Sequence, residues 1–592
     1  MNGQAKSNVL ARHLFPAACL TAAMLLVGCA ESEPAAVANS GLELWFASLT
    51  SQGCAATTNG QGVVPATVTT LAAVLTRPDQ TQETFKVSKS TVQGKGSWLL
   101  TGLPIGQDID LELFGCDASH KVVYSGRTND VAVVDQAETV ARVFLAPVAQ
   151  LACTGGPGGS ATLKGARSLA GAAALFDGQA VVAGGIKEWS SADKSGTASS
   201  DVDVYDYRLG AFRPAPSLLV GRIQPHVHAL PPLTADPTIR RVLVAGGVTS
   251  VKLFGSTALP SPLMAPGKVD EALPPFAAEV VELSDAGQST QSTADIGVGA
   301  RPLSSSIHLG SEILFAGGVD DAGAPLAQAS RLPNLTDVAA GIAVQSVGVT
   351  LAAARARPAL LKFPDGTVVV WGGNASKAVA DLGEVLEPAG TTGKALTITG
   401  DAAILTDANL ATIGPVAVVL ASSADTLAFL VAGGLPYAQP IRSENAPTYV
   451  VVVSRASKSA EIKPVDLGGS VLRAGLGTVA IRLPSGHILF AGGLVAPMDV
   501  PDVCSTVGEC ILDTFTLIEP SVDVTAATVV LTVTTGSLGQ PSFGMAAAPL
   551  PTGALLAGGQ LSVSTEDDVL DAVGQVFVTG PSAERQAVLC GP

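Results

Sequence analysis

Seven apolar runs that end in a pair of glycines recur through the sequence from residue 180 onwards. The runs read VVAGG, VLVAGG, ILFAGG, VVVWGG, FLVAGG, ILFAGG and ALLAGG. The pairs are Gly184 and Gly185, Gly246 and Gly247, Gly317 and Gly318, Gly372 and Gly373, Gly433 and Gly434, Gly492 and Gly493, and Gly558 and Gly559. Successive pairs lie 55 to 71 residues apart. Self-similarity at a nearly constant period indicates repeated structural units that bury their apolar faces against one another.

Each repeat carries the signals of about four strands. Dipeptides such as Asp177-Gly178, Asp365-Gly366 and Ser485-Gly486 lie between apolar runs and predict two-residue hairpins before the glycine pair. A polar loop and a further strand-like run, for example DVDVYDY or AAEVVEL, follow the pair. Four strands per unit, repeated seven times, predict an all-β fold with a seven-bladed β-propeller. The alternatives are a ring of six or eight blades and an array of two-sheet sandwiches.

The paired glycines have a physical reason in such a ring. Where neighbouring blades crowd, a missing Cβ lets two backbones approach, and glycine adopts φ values that other residues avoid. Arginines also recur, since Arg167, Arg301 and Arg355 lie 17 or 18 residues before the second glycine of a pair. We expect these arginines to pair with neighbouring blades. The alternative is a ring of charge that holds an anion at the mouth of the channel.

The combination of an arginine, an apolar run and paired glycines resembles the kelch repeat over residues 153–592. The resemblance implies a β-propeller of the kelch and galactose oxidase type. The later aromatic positions of kelch repeats are clear only in the first unit, as Tyr205 and Phe212. The repeats also exceed the usual length of about 50 residues. We expect the extra residues in three loops: 186–201, 248–277 and 494–513.

The first residues of the chain predict export. Lys6 and Arg12 precede an apolar run from Leu14 to Gly28. These are the basic and hydrophobic parts of a secretory signal peptide, and the run is too short for a membrane-spanning helix. We therefore assign residues 1–28 to a signal peptide.

The signal ends in LVGC, which resembles the lipobox of bacterial lipoproteins. The resemblance implies that Cys29 is lipidated and becomes the mature N-terminus, and that Ala30 directs the protein to the outer membrane. An ordinary signal peptide with a chance cysteine is the alternative. Residues 29–40 predict a short flexible tether after the lipid.

Residues 41–150 alternate polar and apolar side chains over short runs such as LELWFASL, ETFKVSK and DIDLELFGC. This period of two, interrupted by turn residues, predicts a small β-sandwich. The stretch GSWLLTGLPIGQDIDLELFGCD resembles bacterial immunoglobulin-like and prealbumin-like modules. A glycine-rich segment, 154–160, then predicts a boundary before the repeats.

The sequence has eight cysteines, of which Cys19 leaves with the signal peptide and Cys29 carries the lipid. Six cysteines in an oxidising compartment indicate disulfides. Their placement predicts three bridges: Cys54–Cys116 in the sandwich, Cys504–Cys510 in a loop, and Cys153–Cys590 as a covalent latch on the closed ring. Free or differently paired thiols are the alternative.

The chemical signals are few. His226 and His228 have the spacing that places two side chains on one face of a strand, and two imidazoles could begin a metal site. We expect His228 and His308 instead to fill positions in the first strand of a blade. The acidic segment 564–571 could offer oxygen ligands to Ca²⁺, although we expect a solvated loop. Sequence signatures of hydrolases, zinc proteases, P-loops and EF-hands are absent.

The likeness to galactose oxidase raises copper chemistry, whose site needs two histidines, two tyrosines and a cysteine that crosslinks a tyrosine. After the signal peptide, the tyrosines stand only at positions 124, 205, 207, 437 and 449. Each remaining cysteine is better explained by the lipid or by a disulfide. We therefore predict no catalytic residues, no metal and no cofactor.

The net charge of −16, from 34 basic and 50 acidic residues, disfavours binding to nucleic acids. The sequence therefore predicts a lipid-anchored protein of the cell envelope whose propeller loops bind an unknown protein or glycan. The alternative is a secreted carbohydrate-active enzyme or copper-dependent oxidase on the same fold.

Overall fold

The chain folds into seven blades of four antiparallel strands arranged as a ring, with a separate β domain before them. In one blade, Thr397–Gly400 and Val529–Val530 add in parallel to the outer strand. The computed structural model describes residues 39–49, 54, 60–61, 64–88, 97–101, 106–133, 139–156, 159–190, 195–232, 236, 238–252, 277–284, 291–295, 301–320, 324–335, 347–373, 378–407, 410, 412–436, 447–475, 477–495, 510–519, 522–560 and 570–591. The prediction of an all-β chain with a seven-bladed β-propeller is confirmed.

The four strands of each blade follow one another from the axis of the ring to its outside. Blade 1 is Gly171–Ala174, Ala180–Ala183, Val202–Asp206 and Ala211–Pro214; blade 2 is His226–Leu230, Arg240–Ala245, Ala277–Leu283 and Gln291–Asp295; blade 3 is Ser304–His308, Ile313–Gly317, Leu326–Leu332 and Val347–Arg355. Blade 4 is Ala359–Lys362, Val368–Trp371, Gly383–Leu386 and Lys394–Ala395; blade 5 is Val416–Ser422, Thr426–Ala432, Tyr449–Ser454 and Ser459–Asp466; blade 6 is Val479–Arg482, Ile488–Ala491, Thr514–Ile518 and Val533–Ser537. Blade 7 is Ala546–Leu550, Gly553–Gln560, Leu570–Val578 and Leu151–Cys153.

The ring closes through a strand exchange between the two ends of the repeat region. The first strand of every blade contacts the first strand of the next, and the first strand of blade 7 contacts that of blade 1. The outer strand of blade 7, Leu151–Cys153, comes from the segment that precedes blade 1 and pairs antiparallel with Leu570–Val578. Because the two ends share one sheet, opening the ring exposes unpaired strand edges.

The glycine pairs lie where one blade meets the next. All fourteen glycines have positive φ. At five of the seven junctions the N–H of the second glycine donates to a backbone carbonyl just before the following blade, as from Gly185 to Arg222 at 2.7 Å and from Gly559 to Arg167 at 2.9 Å. At four of these five junctions a Cβ on the first glycine would collide with that carbonyl, as at Gly558 against Arg167. Glycine is therefore required both for its conformation and for the close approach.

The arginines that precede the first strands of blades 1, 2 and 4 are buried, and each pairs with an acid of the blade that it precedes. Arg167 contacts Asp203 at 2.5 Å, Arg222 contacts Glu279 at 3.1 Å, and Arg355 contacts Glu384 at 2.7 Å. The expected pairing with neighbouring blades is therefore wrong for the side chains of Arg167 and Arg222, whereas Arg355 ends the outer strand of blade 3 and pairs with blade 4. Their backbones bond the preceding blade, as Arg167 N–H donates to the Asp571 carbonyl at 2.9 Å and the Arg167 carbonyl accepts from Gly559 N–H at 2.9 Å.

The side chains of two of these arginines also reach the glycine pair of the blade that they precede. Arg222 Nη1 donates to the carbonyl of Gly246 at 2.8 Å, and Arg355 Nη1 donates to that of Gly372 at 2.6 Å. Each such arginine thus ties two successive glycine pairs together, one through its side chain and one through its backbone.

The described part of the N-terminal domain has eight strands: Asn39–Ala47, Gly60–Gln61, Thr70–Thr76, Gln82–Ser88, Ser97–Thr101, Gly106–Cys116, Val122–Val133 and Thr139–Pro147. Hydrogen bonds connect them into one sheet, in which Asn39–Ala47 and Thr139–Pro147 are parallel. The core includes Leu44, Leu71 and Leu113. Two stacked layers, the predicted β-sandwich, stay a prediction.

The disulfide pairing predicted from the sequence is wrong for four cysteines. Cys54 bonds to Cys153, with Cα atoms 5.5 Å apart, and Cys116 bonds to Cys590, with Cα atoms 5.7 Å apart. Both bridges join the N-terminal domain to an end of the propeller, because that domain packs against both ends. Neither bridge latches the ring, which closes through strand pairing instead. The predicted Cys504–Cys510 bridge lies outside the described residues.

The helix Ala583–Cys590 packs on the N-terminal domain. Its Arg585 pairs with Glu112 and lies over the ring of Phe114 at 5.4 Å. On the other side of the interface, Phe144 packs in one apolar cluster with residues of blades 1 and 7. The two domains therefore share apolar, ionic and covalent contacts.

The remaining described elements lie around the blades. They are the strands Ile186–Ser190, Ser195–Ala198, Ser250–Lys252, Thr397–Gly400, Thr412–Ile413, Leu435–Pro436, Leu494–Val495, Cys510–Ile511 and Val529–Val530, the 3₁₀ turn Val379–Asp381 and the short helix Ala402–Leu405. Among the described residues, no helix has the length and apolar character needed to cross a membrane.

Gly558→Ala tests the junction that closes the ring. A left-handed backbone costs alanine about 1–2 kcal/mol, and the collision of Cβ with the Arg167 carbonyl adds about 1–3 kcal/mol. Gly366→Ala is the matched control, because its φ is +88° but no atom lies within 4 Å of the new Cβ. We expect thermal unfolding by calorimetry to show a clearly larger loss for Gly558→Ala. Equal losses would contradict a steric role for the glycine pair.

Candidate functional site

An open cavity of about 350 Å³ lies at one mouth of the central channel. It is lined where the first strands of the blades begin, with residues from blades 1, 2, 3, 4, 6 and 7. Its polar lining includes Gln224, His226, Arg301, Ser304 and Arg357. Because it is formed jointly by most of the blades, it exists only in the closed ring.

Seven equivalent residues, one before the first strand of each blade, encircle the axis with φ between 52° and 69°. They are Leu169, Gln224, Leu303, Arg357, Gly414, Gly477 and Gly544. Backbone hydrogen bonds link neighbouring members, from Gln224 N–H to the Leu169 carbonyl and from Arg357 N–H to the Leu303 carbonyl. The bond from Leu169 N–H to the Gly544 carbonyl, at 2.7 Å, joins the first blade to the last.

Only blades 1 to 4 place a side chain on this ring, because blades 5 to 7 have glycine there. The side chains therefore occupy one half of the mouth. A left-handed conformation is unfavourable for leucine, glutamine and arginine. The glycines of blades 5 to 7 show that this backbone does not itself need a side chain.

Two histidines and two serines form a ladder beside the cavity. His226 and His228 come from the first strand of blade 2, and Ser304 and Ser306 come from that of blade 3. His226 Nε2 lies 2.9 Å from Ser304 Oγ, and its Nδ1 lies 2.8 Å from Ser306 Oγ. His228 Nε2 lies 2.8 Å from Ser306 Oγ.

The direction of these hydrogen bonds follows from one carbonyl. Ser304 Oγ donates to the Arg301 carbonyl at 2.7 Å, so it accepts from His226 Nε2–H. With His226 neutral, its Nδ1 accepts from the Ser306 hydroxyl, and Ser306 in turn accepts from His228 Nε2–H. This assignment places both histidines in the neutral Nε2–H form.

Burial favours that neutral form. Desolvation lowers the pKa of His226 to about 4, with a smaller contribution from the positive charge of Arg357. Desolvation also lowers the pKa of His228 to about 3, with contributions from His226 and His308. Near neutral pH the ladder is therefore uncharged, and the charge of the lining comes from Arg301 and Arg357.

Two donors at the cavity have no partner. Arg357 Nη1 and Gln224 Nε2 are both buried, and neither has a hydrogen-bond partner among the described residues. Burial lowers the pKa of the Arg357 guanidinium. A buried donor without an acceptor is costly. The described residues leave two such donors at the channel mouth without an acceptor.

The structure brings His226 and His228 together on one strand face, as predicted, and places the His308 ring 6.3 Å from that of His228. The described residues contain no group of three or more His, Cys, Asp or Glu side chains that could hold a metal. No tyrosine or cysteine is among the residues that line the cavity. Cys29 and most of the acidic segment 564–571 lie outside the described residues.

Sequence reasoning missed Gln224 and Arg357. Their signal is positional, because each stands two residues after the arginine that opens its blade and immediately before a proline. An alignment of the seven repeats on the opening arginine could have found them. No known family model matches this chain, and no curated protein matches it in sequence.

The buried histidines predict a pH-dependent stability. Between pH 6.5 and about pH 4 these histidines are protonated in the unfolded chain but neutral in the folded protein. The free energy of unfolding therefore falls as the pH falls through this window. The slope is about 1.4 kcal/mol per pH unit for each histidine. Thermal melts from pH 7 to 4.5 should therefore show a shallower loss for His228→Gln than for the wild type. His120→Gln, in the N-terminal domain, is the control that should keep the steep loss; equal slopes in all three would contradict the assignment.

Proposed function

We propose that this protein is a lipid-anchored component of the cell envelope whose kelch-like propeller is a binding scaffold. The observation that carries the proposal is the open cavity of about 350 Å³ at the channel mouth, with two unpartnered buried donors. Concave sites with a few convergent polar groups are the usual form of ligand-binding sites. A closed ring is a rigid support for them.

The kelch assignment rests on the repeated junction. Each repeat combines an apolar second strand with paired glycines, and three of them add a buried arginine at the start of the blade. These are the features through which the sequence resembles kelch repeats.

The disulfides support an extracytoplasmic location, because such bonds persist in oxidising compartments. They attach the N-terminal domain to the propeller through Cys153 and Cys590. We propose that this domain acts as a stalk, which holds the propeller away from the lipid attached to Cys29 while the tether 29–40 provides freedom of orientation.

Cys29→Ser tests the anchor. The variant cannot carry the thioether-linked lipid, so we expect it to lose labelling with a radioactive fatty acid and to leave the membrane fraction. Cys510→Ser is a control that removes a cysteine far from the signal. Detergent-dependent membrane association of Cys29→Ser would contradict the proposal.

Metal analysis of the purified protein tests binding against copper-dependent oxidation. The cavity lining has a histidine but no tyrosine or cysteine. We therefore expect copper well below one equivalent, even after incubation with excess copper and desalting. Stoichiometric copper would overturn the binding role in favour of an oxidase.

A further inference from the structure

We propose that the cavity at the channel mouth binds a small organic carboxylate, with the carboxylate accepting hydrogen bonds from Arg357 Nη1 and Gln224 Nε2. This inference rests on the proposed binding role and adds the chemical class of the ligand. It is drawn from the charge of the cavity, its unpartnered donors and the asymmetry of its rim.

The charge of the lining is positive although the protein as a whole carries −16. Arg301 and Arg357 line the cavity, and no aspartate or glutamate is among the lining residues. The adjacent ladder is neutral because His226 and His228 are desolvated. An anion therefore finds local attraction at this mouth without a competing carboxylate.

The arginine of blade 3 differs from those of blades 1, 2 and 4. In blades 2 and 4 the acid that binds the opening arginine pairs across the sheet with the residue two positions before the first glycine. In blade 2, for example, Glu279 pairs with Val244, and the first glycine is Gly246. The register-equivalent residue in blade 3 is Ser330, opposite Phe315. Blade 3 thus has no carboxylate at the position that binds the arginine elsewhere, and Arg301 lines the cavity instead.

The donors supply the recognition geometry. Arg357 Nη1 and Gln224 Nε2 are buried without partners among the described residues and belong to side chains that line the same cavity. A guanidinium and an amide NH₂ both donate to oxygen, and arginine is well suited to carboxylates. A carboxylate completes the hydrogen bonds that the protein leaves open.

The apolar lining and the volume limit the rest of the ligand. Leu169, Leu303 and Met545 also line the cavity, so one wall can pack a short hydrocarbon. A volume of about 350 Å³ is near the lower end for ligand sites. A carboxylate on a short apolar chain fits better than a phosphate, because a phosphate has no hydrocarbon to pack against this wall.

The difference between the blades at the rim distinguishes a binding role from a structural role for Gln224 and Arg357. Blades 5 to 7 have glycine where blades 2 and 4 have Gln224 and Arg357, with the same left-handed backbone. A purely structural requirement is met by glycine, which adopts this φ without strain. Arginine and glutamine in this conformation are therefore best explained by what their side chains bind.

Calorimetric titration of the full-length protein in detergent with sodium butyrate tests the proposal. We expect saturable binding at one site, with n-butanol and inorganic phosphate at least tenfold weaker. Arg357→Gly should weaken butyrate binding at least tenfold and Gln224→Gly at least threefold, while neither lowers the melting temperature. Arg482→Ala, which removes an exposed arginine outside the cavity, should keep the wild-type affinity.

Three results would overturn the proposal: no saturable binding of butyrate, wild-type affinity in Arg357→Gly, or phosphate binding as tight as butyrate. If Arg357→Gly does not fold, wild-type affinity in Gln224→Gly overturns it. The titration does not depend on the lipid. A Cys29→Ser result that contradicts the lipid anchor therefore does not change the interpretation of the butyrate titration. If the propeller binds a different ligand through its loops, the titration with butyrate shows no binding, while the proposed role as a binding scaffold still stands.

Discussion

The contact on which the propeller depends is the junction between a glycine pair and the residue that opens the next blade. The second glycine donates its N–H across the blade boundary, and the first glycine lets that backbone come close. In blades 2 and 4 the side chain of the opening arginine bonds the first glycine of the pair in that blade and a buried acid. A buried ion pair of this kind is costly to break, because the partner left behind is an unpaired charge without water.

The two ends of the repeat region have a double role. Leu151–Cys153 completes blade 7 through hydrogen bonds, while the sulfur of Cys153 bonds to the N-terminal domain. At the other end, Cys590 binds the same domain from a helix that follows blade 7. The covalent bonds thus protect the closure indirectly, since they hold both ends of the ring against one body. In the chain-entropy model, links that close such long loops are worth on the order of 5 kcal/mol each.

The channel mouth shows how a repeated fold acquires a unique site. Seven equivalent backbones have the same left-handed conformation, yet only four carry side chains. The symmetry of the ring supplies the position, and the differences between repeats supply the chemistry. His226, His228, Ser304 and Ser306 remain neutral and are hydrogen-bonded to one another, so they shape the wall without adding charge. The charge is left to Arg301 and Arg357.

The number of blades could be read from the sequence, because each glycine pair is a local requirement of one junction. The adjacency of His226 and His228 could be read for the same reason, since strand geometry sets it. The disulfide partners of Cys54, Cys116, Cys153 and Cys590 could not, because they depend on how two domains pack, and sequence distance says nothing of that. Likewise, Gln224 and Arg357 meet at one cavity only after the ring has closed. The sequence by itself determined the repeated apolar strand and glycine pair, because their conformation is set by residues that are neighbours in the chain. The tertiary structure alone decided the contacts that join distant segments, since these depend on how the blades and the two domains pack.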